Sequence, residues 1–311
     1  MTSGIYKQIA HLLYTPFTGL GLYGGHRGER WLKNRIQIFK QFVIPSLLAQ
    51  TNKNFILWIS WRYEERSCHI VKEFKEYLDS IQEFKTFFTY AGVCFWDDKY
   101  NNDEALKRLS EAIHGSIGEI LNNIGEAETI LMTIQPSDDC YYSRMVDEVQ
   151  KELCNNIDAV GYRYGYVGDY VNRRIAEWNP TTNPPFYTIK FKREIFIDPY
   201  KHMKFTGPYK SHEFVPDFLK YKTLETRGYL VGTHGENIST IFNHPFTQHE
   251  YLGSNILPIL AKFGLENVPL LKLKSSLKKR LMRKLPREWQ KRLRFIFGEK
   301  VFNVVYNWLR S

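Results

Sequence analysis

Two kinds of apolar pattern alternate along the first half of the chain. Short unbroken runs read "IAHLLYT" at 9–15, "NFILWISW" at 54–61, "GVCFWDD" at 92–98 and "ETILMTI" at 128–134, and they predict buried strands. Between them, apolar residues recur every three or four positions, the spacing of a helix with one buried face. Trp31, Ile36, Ile38, Phe39, Phe42 and Val43 predict one helix, with Pro45 as a kink or restart. A second helix is predicted over 68–82. A third spans 101–124, capped by Asn102 or Asp103, with Leu106, Leu109, Ile113, Ile117 and Leu121 as its apolar face. "YYSRMVDEVQKELC" at 141–154 predicts a fourth. Strands alternating with helices of this length imply βαβ units and a mostly parallel sheet, whose ligands bind past the carboxyl ends of the strands.

After residue 156 the pattern turns to strands. "AVGYRYGYVGDYVNRRIAEW" at 159–178 predicts a hairpin whose alternating tyrosines form one exposed aromatic face, suited to stacking a sugar. "PFYTIKFKR" at 185–193 predicts a further strand. With 311 residues and 43% apolar content, the chain has enough material for a real core. Cys68, Cys94, Cys140 and Cys154 are too far apart in sequence for a zinc-finger or redox motif, and they read as reduced, mostly buried thiols. The start of the sequence lacks a secretory signal pattern, and no apolar run approaches about 20 residues.

The net charge of +10 suggests a polyanionic partner until it is located. Residues 272–311 hold 13 of the 43 Lys/Arg and 2 of the 33 Asp/Glu, which leaves 30 basic and 31 acidic residues in the rest. The body is therefore neutral and the tail is a separate electrostatic object. No nucleic acid is expected at the body. A nucleic-acid binder acting through the tail is one alternative reading, and strongly salt-dependent duplex binding would be its sign.

The candidate chemistry centres on Asp138 and Asp139, which follow a predicted strand after Pro136. Adjacent like charges repel unless a cation neutralises them. Such a pair suits Mg²⁺ or Mn²⁺, with substrate phosphates completing the shell. The same pair could instead cap the helix predicted to start near Tyr141. A nucleotidyl-transfer site would need another carboxylate nearby, and the sequence offers no compelling one. The glycine-rich stretch "TGLGLYGGHRGER" at 18–30 lacks a Walker ending and a dinucleotide fingerprint, but its glycines permit close approach to a nucleotide. Arg27, Arg30 and Arg35 are placed to reach phosphates. Glu64 and Glu65, after the second strand, are candidates for base recognition. Asp97 and Asp98, after the third, are candidates for nucleotide contact.

Several ordered motifs resemble one family. Arg35, Phe39, Pro45, Ser46, Leu47, Gln50, Thr51 and Phe55 match an arginine-bearing helix followed by a "PSL..QT...F" segment. Pro136-Ser137-Asp138-Asp139 stands where the family carries Asp-x-Asp-Asp, so the first aspartate is replaced by proline. "GYLVGTHGENIST" at 228–240 is similar to a late "HG.N.S" segment. Together these resemble the rhamnosyltransferase family within the GT-A glycosyltransferases, over about residues 25–245. The resemblance implies a GT-A fold: a mixed, mostly parallel sheet flanked by helices, here with a basic helical C-terminal extension. It implies a catalytic domain over 1–271, with a nucleotide-binding half to about 155 and an acceptor half from 156, then the tail at 272–311. It implies a nucleotide-sugar donor, a glycan or lipid-linked acceptor, and Mn²⁺ or Mg²⁺ held by Asp138 and Asp139 with His234 completing the shell. Asn237 suits diphosphate or sugar hydroxyls. Glu213, just inside a predicted helix start beside His212, is the candidate general base, with Asp198 and Asp217 behind it. A catalytically silent adaptor that keeps the fold is the other alternative, with Pro136 as its mark.

In the tail, Leu277, Leu281, Leu285, Trp289, Leu293 and Phe297 recur every four residues among clustered Lys and Arg. That pattern predicts an amphipathic helix, bent near Pro286, lying on an anionic membrane surface. Its expected place is the cytoplasmic face of a membrane, fitting surface-polysaccharide assembly on a lipid-linked acceptor. Each basic residue near such a surface contributes roughly 1 kcal/mol. Liposome co-sedimentation is expected to show binding to anionic vesicles that weakens with salt and disappears when 272–311 are deleted. Equal binding to neutral vesicles would contradict the prediction.

Overall fold

In the computed structural model, which describes residues 9–17, 28–92, 113–198, 201, 212–234, 237 and 240–273, the apolar runs pair into two sheets. The strands in chain order are β1 Ile9–Pro16, β2 Ile56–Arg62, β3 Lys85–Gly92, β4 Thr129–Ile134, β5 Cys140–Tyr141, β6 Ala159–Tyr162, β7 Gly165–Asp169, β8 Arg174–Trp178, β9 Tyr187–Lys192, β10 Tyr221–Leu224, β11 Tyr229–Thr233 and β12 Thr247–Tyr251. The first sheet has the order β10-β6-β9-β4-β1-β2-β3. β3, β2, β1 and β4 run parallel, and β9 is antiparallel to its neighbours β4 and β6. The second sheet has the order β12-β8-β7-β11-β5. This is the mixed, mostly parallel α/β arrangement that the sequence implied. Strands from beyond residue 156 complete the first sheet as well as building the second.

The helices are α1 Gly28–Ile38, α2 Ile44–Leu48, α3 His69–Asp79, α4 Ile117–Ile124, α5 Met145–Leu153, α6 Arg193–Phe196, α7 Val215–Phe218 and α8 Leu257–Lys262. They cover both faces of the first sheet, so its strands are apolar on both sides. Leu13, Leu57, Ile59 and Trp61 face the core beneath α1, α3 and α5. Ala10, Leu12, Tyr14 and Trp58 face the opposite core with α4 and α7. Pro45 acts as a restart: a π-helical stretch, Phe39–Val43, joins α1 to α2 ahead of it. Proline has no N–H to donate, and the widened turn accommodates the missing bond.

Buried polar side chains also lock elements together. His11 Nε2 lies 2.8 Å from Thr133 Oγ1, and Gln150 of α5 reaches both His11 and the Asn54 carbonyl. Burial lowers His11 to about 3, so it is a neutral structural histidine.

Four expectations change. A strand not singled out from the sequence, Lys85–Gly92, forms on the Thr/Phe/Tyr-rich "KTFFTYAG", and residues 93–98 of the strand predicted at 92–98 lie outside the described residues. The third helix buries Ile113, Ile120 and Ile124, while Ile117 and Leu121 lie on its flank. Its predicted start at 101–112 is also outside the described residues. The tyrosine run is not one exposed face: Tyr162 and Tyr166 belong to different sheets, and both are buried. Of the cysteines, Cys140 is buried, Cys68 is half-buried and Cys154 is exposed, all as free thiols; Cys94 is outside the described residues. Among the described residues no helix is long and apolar enough to cross a membrane.

Candidate functional site

The connection from β4 to β5 carries the chain from the first sheet into the second, and Asp138 and Asp139 sit on it. Gln135 N donates to Tyr14 O at 2.8 Å, extending the β1–β4 pairing by one residue. The Gln135 side chain then donates to the carbonyls of Pro136 and Asp139, which folds the connection back on itself. From the second sheet, Tyr170 Oη donates to Asp138 O at 3.0 Å, and the Gly232 N–H donates to Asp139 Oδ1 at 2.8 Å. Tyr170 is held by stacking on Phe42 at 3.7 Å between ring centroids. A Cβ on Gly232 would overlap the Asp138 carbonyl and the Tyr170 ring, so this close approach requires glycine. Both aspartates are thus fixed by backbone contacts from two directions. Helix capping is excluded as their role, because α5 begins only at Met145 and β5 intervenes.

The cation beside the pair is Arg35. Its Nη1 lies 2.6 Å from Asp138 Oδ2, and both side chains are buried. The same oxygen accepts from His234 Nε2 at 3.0 Å and from Asn237 Nδ2 at 3.3 Å. Asn237 also closes the turn after β11: its Oδ1 accepts from His234 N at 2.7 Å, and its Nδ2 reaches Gly232 O at 2.6 Å. Trp31, one turn earlier on α1, places its ring 5.5 Å from the Arg35 guanidinium.

The two carboxyls are driven apart electrostatically. Burial pushes Asp138 up, but the Arg35 charge and the His234 hydrogen bond outweigh it and hold the group at about 2. Burial and then the Asp138 charge push Asp139 well above the usual carboxylate range, against the Gly232 N–H and Arg35. Asp138 is therefore the fixed anion. Asp139 is the member whose charged form is disfavoured.

The predicted metal set of Asp138, Asp139 and His234 converges here, but His234 and Asp138 bond to each other and Asp139 bonds the Gly232 N–H. Among the described residues no group of three or more His, Cys, Asp or Glu is arranged to hold a metal ion. His234 Nε2 is engaged by Asp138, and Asp138 Oδ2 accepts from His234 and Asn237 while ion-paired with Arg35. Asp139 uses Oδ1 for Gly232, and no partner is present for its Oδ2 among the described residues. Next to the pair, Thr15 Oγ1, Gln135 Oε1 and Ser137 Oγ are buried without a hydrogen-bond partner among the described residues. They lie at or just past the carboxyl ends of β1 and β4, where a sheet of this kind receives ligands.

Other sequence candidates fall elsewhere. Glu213 is exposed on a short 3₁₀ turn, His212–Phe214, and accepts from Thr182 Oγ1 at 2.8 Å. His212 bonds Asn183, whose Oδ1 accepts from Tyr221 Oη. That cluster borders β6, β9 and β10, to the side of the aspartates. Asp217 is exposed on α7, and Asp198 receives the Lys201 N–H. Glu65 accepts from the Arg62 N–H within its own turn, and Glu64 pairs with Arg62 at the surface. Arg27, Asp97 and Asp98 lie outside the described residues. Sequence reasoning missed Gly232, Tyr170, Thr15, Gln135 and Ser137. A glycine inside the apolar run "YLVGT" was the one legible signal, since it marks a close backbone approach.

No protein-family model matches the chain, and no curated protein does. Among solved structures, the chain is similar to a nucleotide-diphospho-sugar transferase from Desulfovibrio desulfuricans at 13% identity and a TM-score of 0.34, over 72% of this chain and 81% of the other. It is similar to a 4-diphosphocytidyl-2C-methyl-D-erythritol synthase from Anaerococcus prevotii at 13% identity and 0.35, over 71% and 89%. A glucose-1-phosphate thymidylyltransferase from Bacillus anthracis, solved with sucrose, shows 9% identity and 0.38, over 71% and 88%. Likenesses this distant leave function to the site itself.

The raised Asp139 carboxyl gives a stability prediction with a definite sign. A carboxyl whose folded value lies above the unfolded value of about 3.9 makes stability fall as pH rises from that value through the folded one. Asn at 139 carries no charge at any pH. Asp139→Asn is therefore expected to melt higher than the wild type at pH 8 without ligand or metal, with the gain shrinking toward pH 4. Thermal melts at the two pH values check this. A variant equally or less stable than the wild type at pH 8 would count against the electrostatic picture.

Proposed function

We propose that this chain is a GT-A-type glycosyltransferase that moves a sugar from a nucleotide-sugar donor to a glycan or lipid-linked acceptor. The sequence resemblance suggests rhamnose as the sugar. The observation that supports this reading is the set of Arg35, Asp138, Asp139, His234 and Asn237 beside three unpartnered buried polar groups, past the carboxyl ends of parallel strands. A buried polar group without a partner is costly unless a ligand or water supplies one, so these positions favour a polar ligand.

In this reading the diphosphate of the donor lies against Asp139, and Thr15, Gln135 and Ser137 hydrogen-bond the donor. Asp138 is held immobile by Arg35 and fixes the backbone that presents Asp139. A bound Mn²⁺ or Mg²⁺ would supply Lewis-acid neutralisation of the departing diphosphate, with Asp139 as its protein ligand. Glu213 takes the proton of the acceptor hydroxyl as its oxygen bonds to the sugar and the bond from sugar to phosphate breaks. Thr182 orients the Glu213 carboxylate. Asp97 and Asp98 contact the nucleotide, and the basic tail holds the enzyme at an anionic membrane where a lipid-linked acceptor resides.

Calorimetry with uridine, guanosine and thymidine diphosphates tests the donor side. One of them is expected to bind in the presence of Mn²⁺, and folded Asp139→Asn is expected to lose the Mn²⁺-dependent part. Glu213→Gln is expected to lower turnover by about 10² or more with donor affinity unchanged, because only proton transfer is removed. Absence of binding for every diphosphate with and without Mn²⁺ would overturn the donor reading. Near-normal turnover of Glu213→Gln would move the base to Asp198 or Asp217.

A further inference from the structure

We propose that His212 and Glu213 together receive two neighbouring hydroxyls, so that the molecule taking up the transferred sugar is itself a sugar with adjacent hydroxyls, not a lone alcohol or a phosphate. This inference deepens the function proposed above and rests on it.

Two consecutive residues of one turn meet two consecutive residues of one loop. Glu213 accepts from Thr182 Oγ1 at 2.8 Å, and His212 Nδ1 lies 2.7 Å from the carbonyl of Asn183. Asn183 returns the contact: its Nδ2 donates to His212 O at 3.0 Å, and its Oδ1 accepts from Tyr221 Oη at 3.0 Å. Burial pushes the Tyr221 phenol up, so its hydroxyl stays a donor. A Cβ on Gly161 would fall 1.9 Å from that hydroxyl, so glycine there admits the tyrosine. His212 is thus held by both its ring and its backbone.

This clamp decides which ring nitrogen carries the proton. A carbonyl only accepts, so the neutral ring bears N–H at Nδ1 and a lone pair at Nε2. The ring is half-buried, and no partner for Nε2 is present among the described residues. The ionised carboxylate of Glu213 also only accepts. Two accepting groups side by side call for a ligand with two donors side by side, which adjacent hydroxyls of a sugar ring provide. An ionised phosphate offers acceptors and would be repelled by the carboxylate.

Topology puts this cluster at the working end of the sheet. β9 is antiparallel to both β4 and β6, so the loop leading into β9 lies at the end where β4 runs out toward Asp138 and Asp139. β6 stands two strands from β4, roughly 10 Å away at about 4.8 Å per strand. In the transfer, Glu213 takes the proton of one hydroxyl, as above, while His212 holds its neighbour and takes no proton.

Ring-nitrogen magnetic resonance of the full chain carrying isotope-labelled histidine tests this, with His212 assigned by its loss in His212→Asn or His212→Gln. A protonated Nδ1 and a bare Nε2 are expected. The probes are the methyl glycosides of glucose, galactose, mannose and rhamnose, added with and without uridine, guanosine and thymidine diphosphates. At least one glycoside is expected to move the Nε2 resonance, and its analogue lacking either adjacent hydroxyl is expected to bind about tenfold more weakly. His212→Asn keeps an amide N–H for the Asn183 carbonyl but has no Nε2, and it is expected to bind the same glycoside about tenfold more weakly. A histidine that only anchors the loop would leave that affinity unchanged, which would overturn the proposal. So would a proton on Nε2 of the neutral ring, or a resonance that inorganic phosphate moves and no glycoside does. If His212→Asn fails to fold, the deoxy analogues on the wild type decide the matter. Failure of every diphosphate to bind defeats the donor reading, whereas diphosphate binding with no response of His212 to any glycoside defeats this one.

Discussion

Arg35 reaches Asp138 at 2.6 Å from within a helix, and neither side chain has solvent to turn to. Removing two charges from water is expensive, and their attraction offsets that expense only when the remaining bonding capacity is filled. Here Asp138 Oδ2 is contacted from three directions. α1 supplies Arg35, the end of β11 supplies His234, and the turn after it supplies Asn237. The ion pair therefore joins a helix of the first layer to the edge of the second sheet, with the β4–β5 connection between them. Breaking such a pair by removing one partner costs about 3–5 kcal/mol, a large share of a typical stability of about 5–15 kcal/mol.

The same pair settles why two aspartates can stand side by side. One is neutralised internally, so the like-charge conflict falls on the other. Asp139 is held in place by the Gly232 N–H while its charged form is disfavoured by burial and by Asp138. The fold thus leaves one carboxylate ion-paired and its neighbour with its charged form disfavoured, separated by a single peptide bond. The price of this arrangement in backbone freedom is small, requiring glycine at 232 and an aromatic wall at Tyr170.

Much of the fold was legible because the first sheet is buried on both faces. A strand with apolar residues on both sides reads as an unbroken run, which identified β1, β2 and β4. β3 was not singled out because "KTFFTY" begins with a lysine and carries two threonines, which diluted its apolar signal against "GVCFW". The tyrosines of 162–170 alternate as a strand should, but alternation cannot reveal that a turn at 163–164 sends the two halves into different sheets. At the site, residue types were readable and partnerships were not. Asp138, Asp139, Arg35, His234 and Asn237 were each singled out. That Arg35 faces Asp138, and not a phosphate, depends on tertiary packing between positions far apart in sequence. The unpartnered Thr15, Gln135 and Ser137 carry no sequence signal, since such residues are common at strand ends.

The central claim is that Arg35 and Asp138 act as one unit on which the site depends, and a double-mutant cycle measures this most directly. Unfolding free energies of the wild type, Arg35→Met, Asp138→Asn and the double variant give the coupling between the two side chains. The account predicts that each single change costs about 3–5 kcal/mol and that the double change costs no more than either single one, because the surviving buried charge is what destabilises. Additive losses, with coupling near zero, would contradict it.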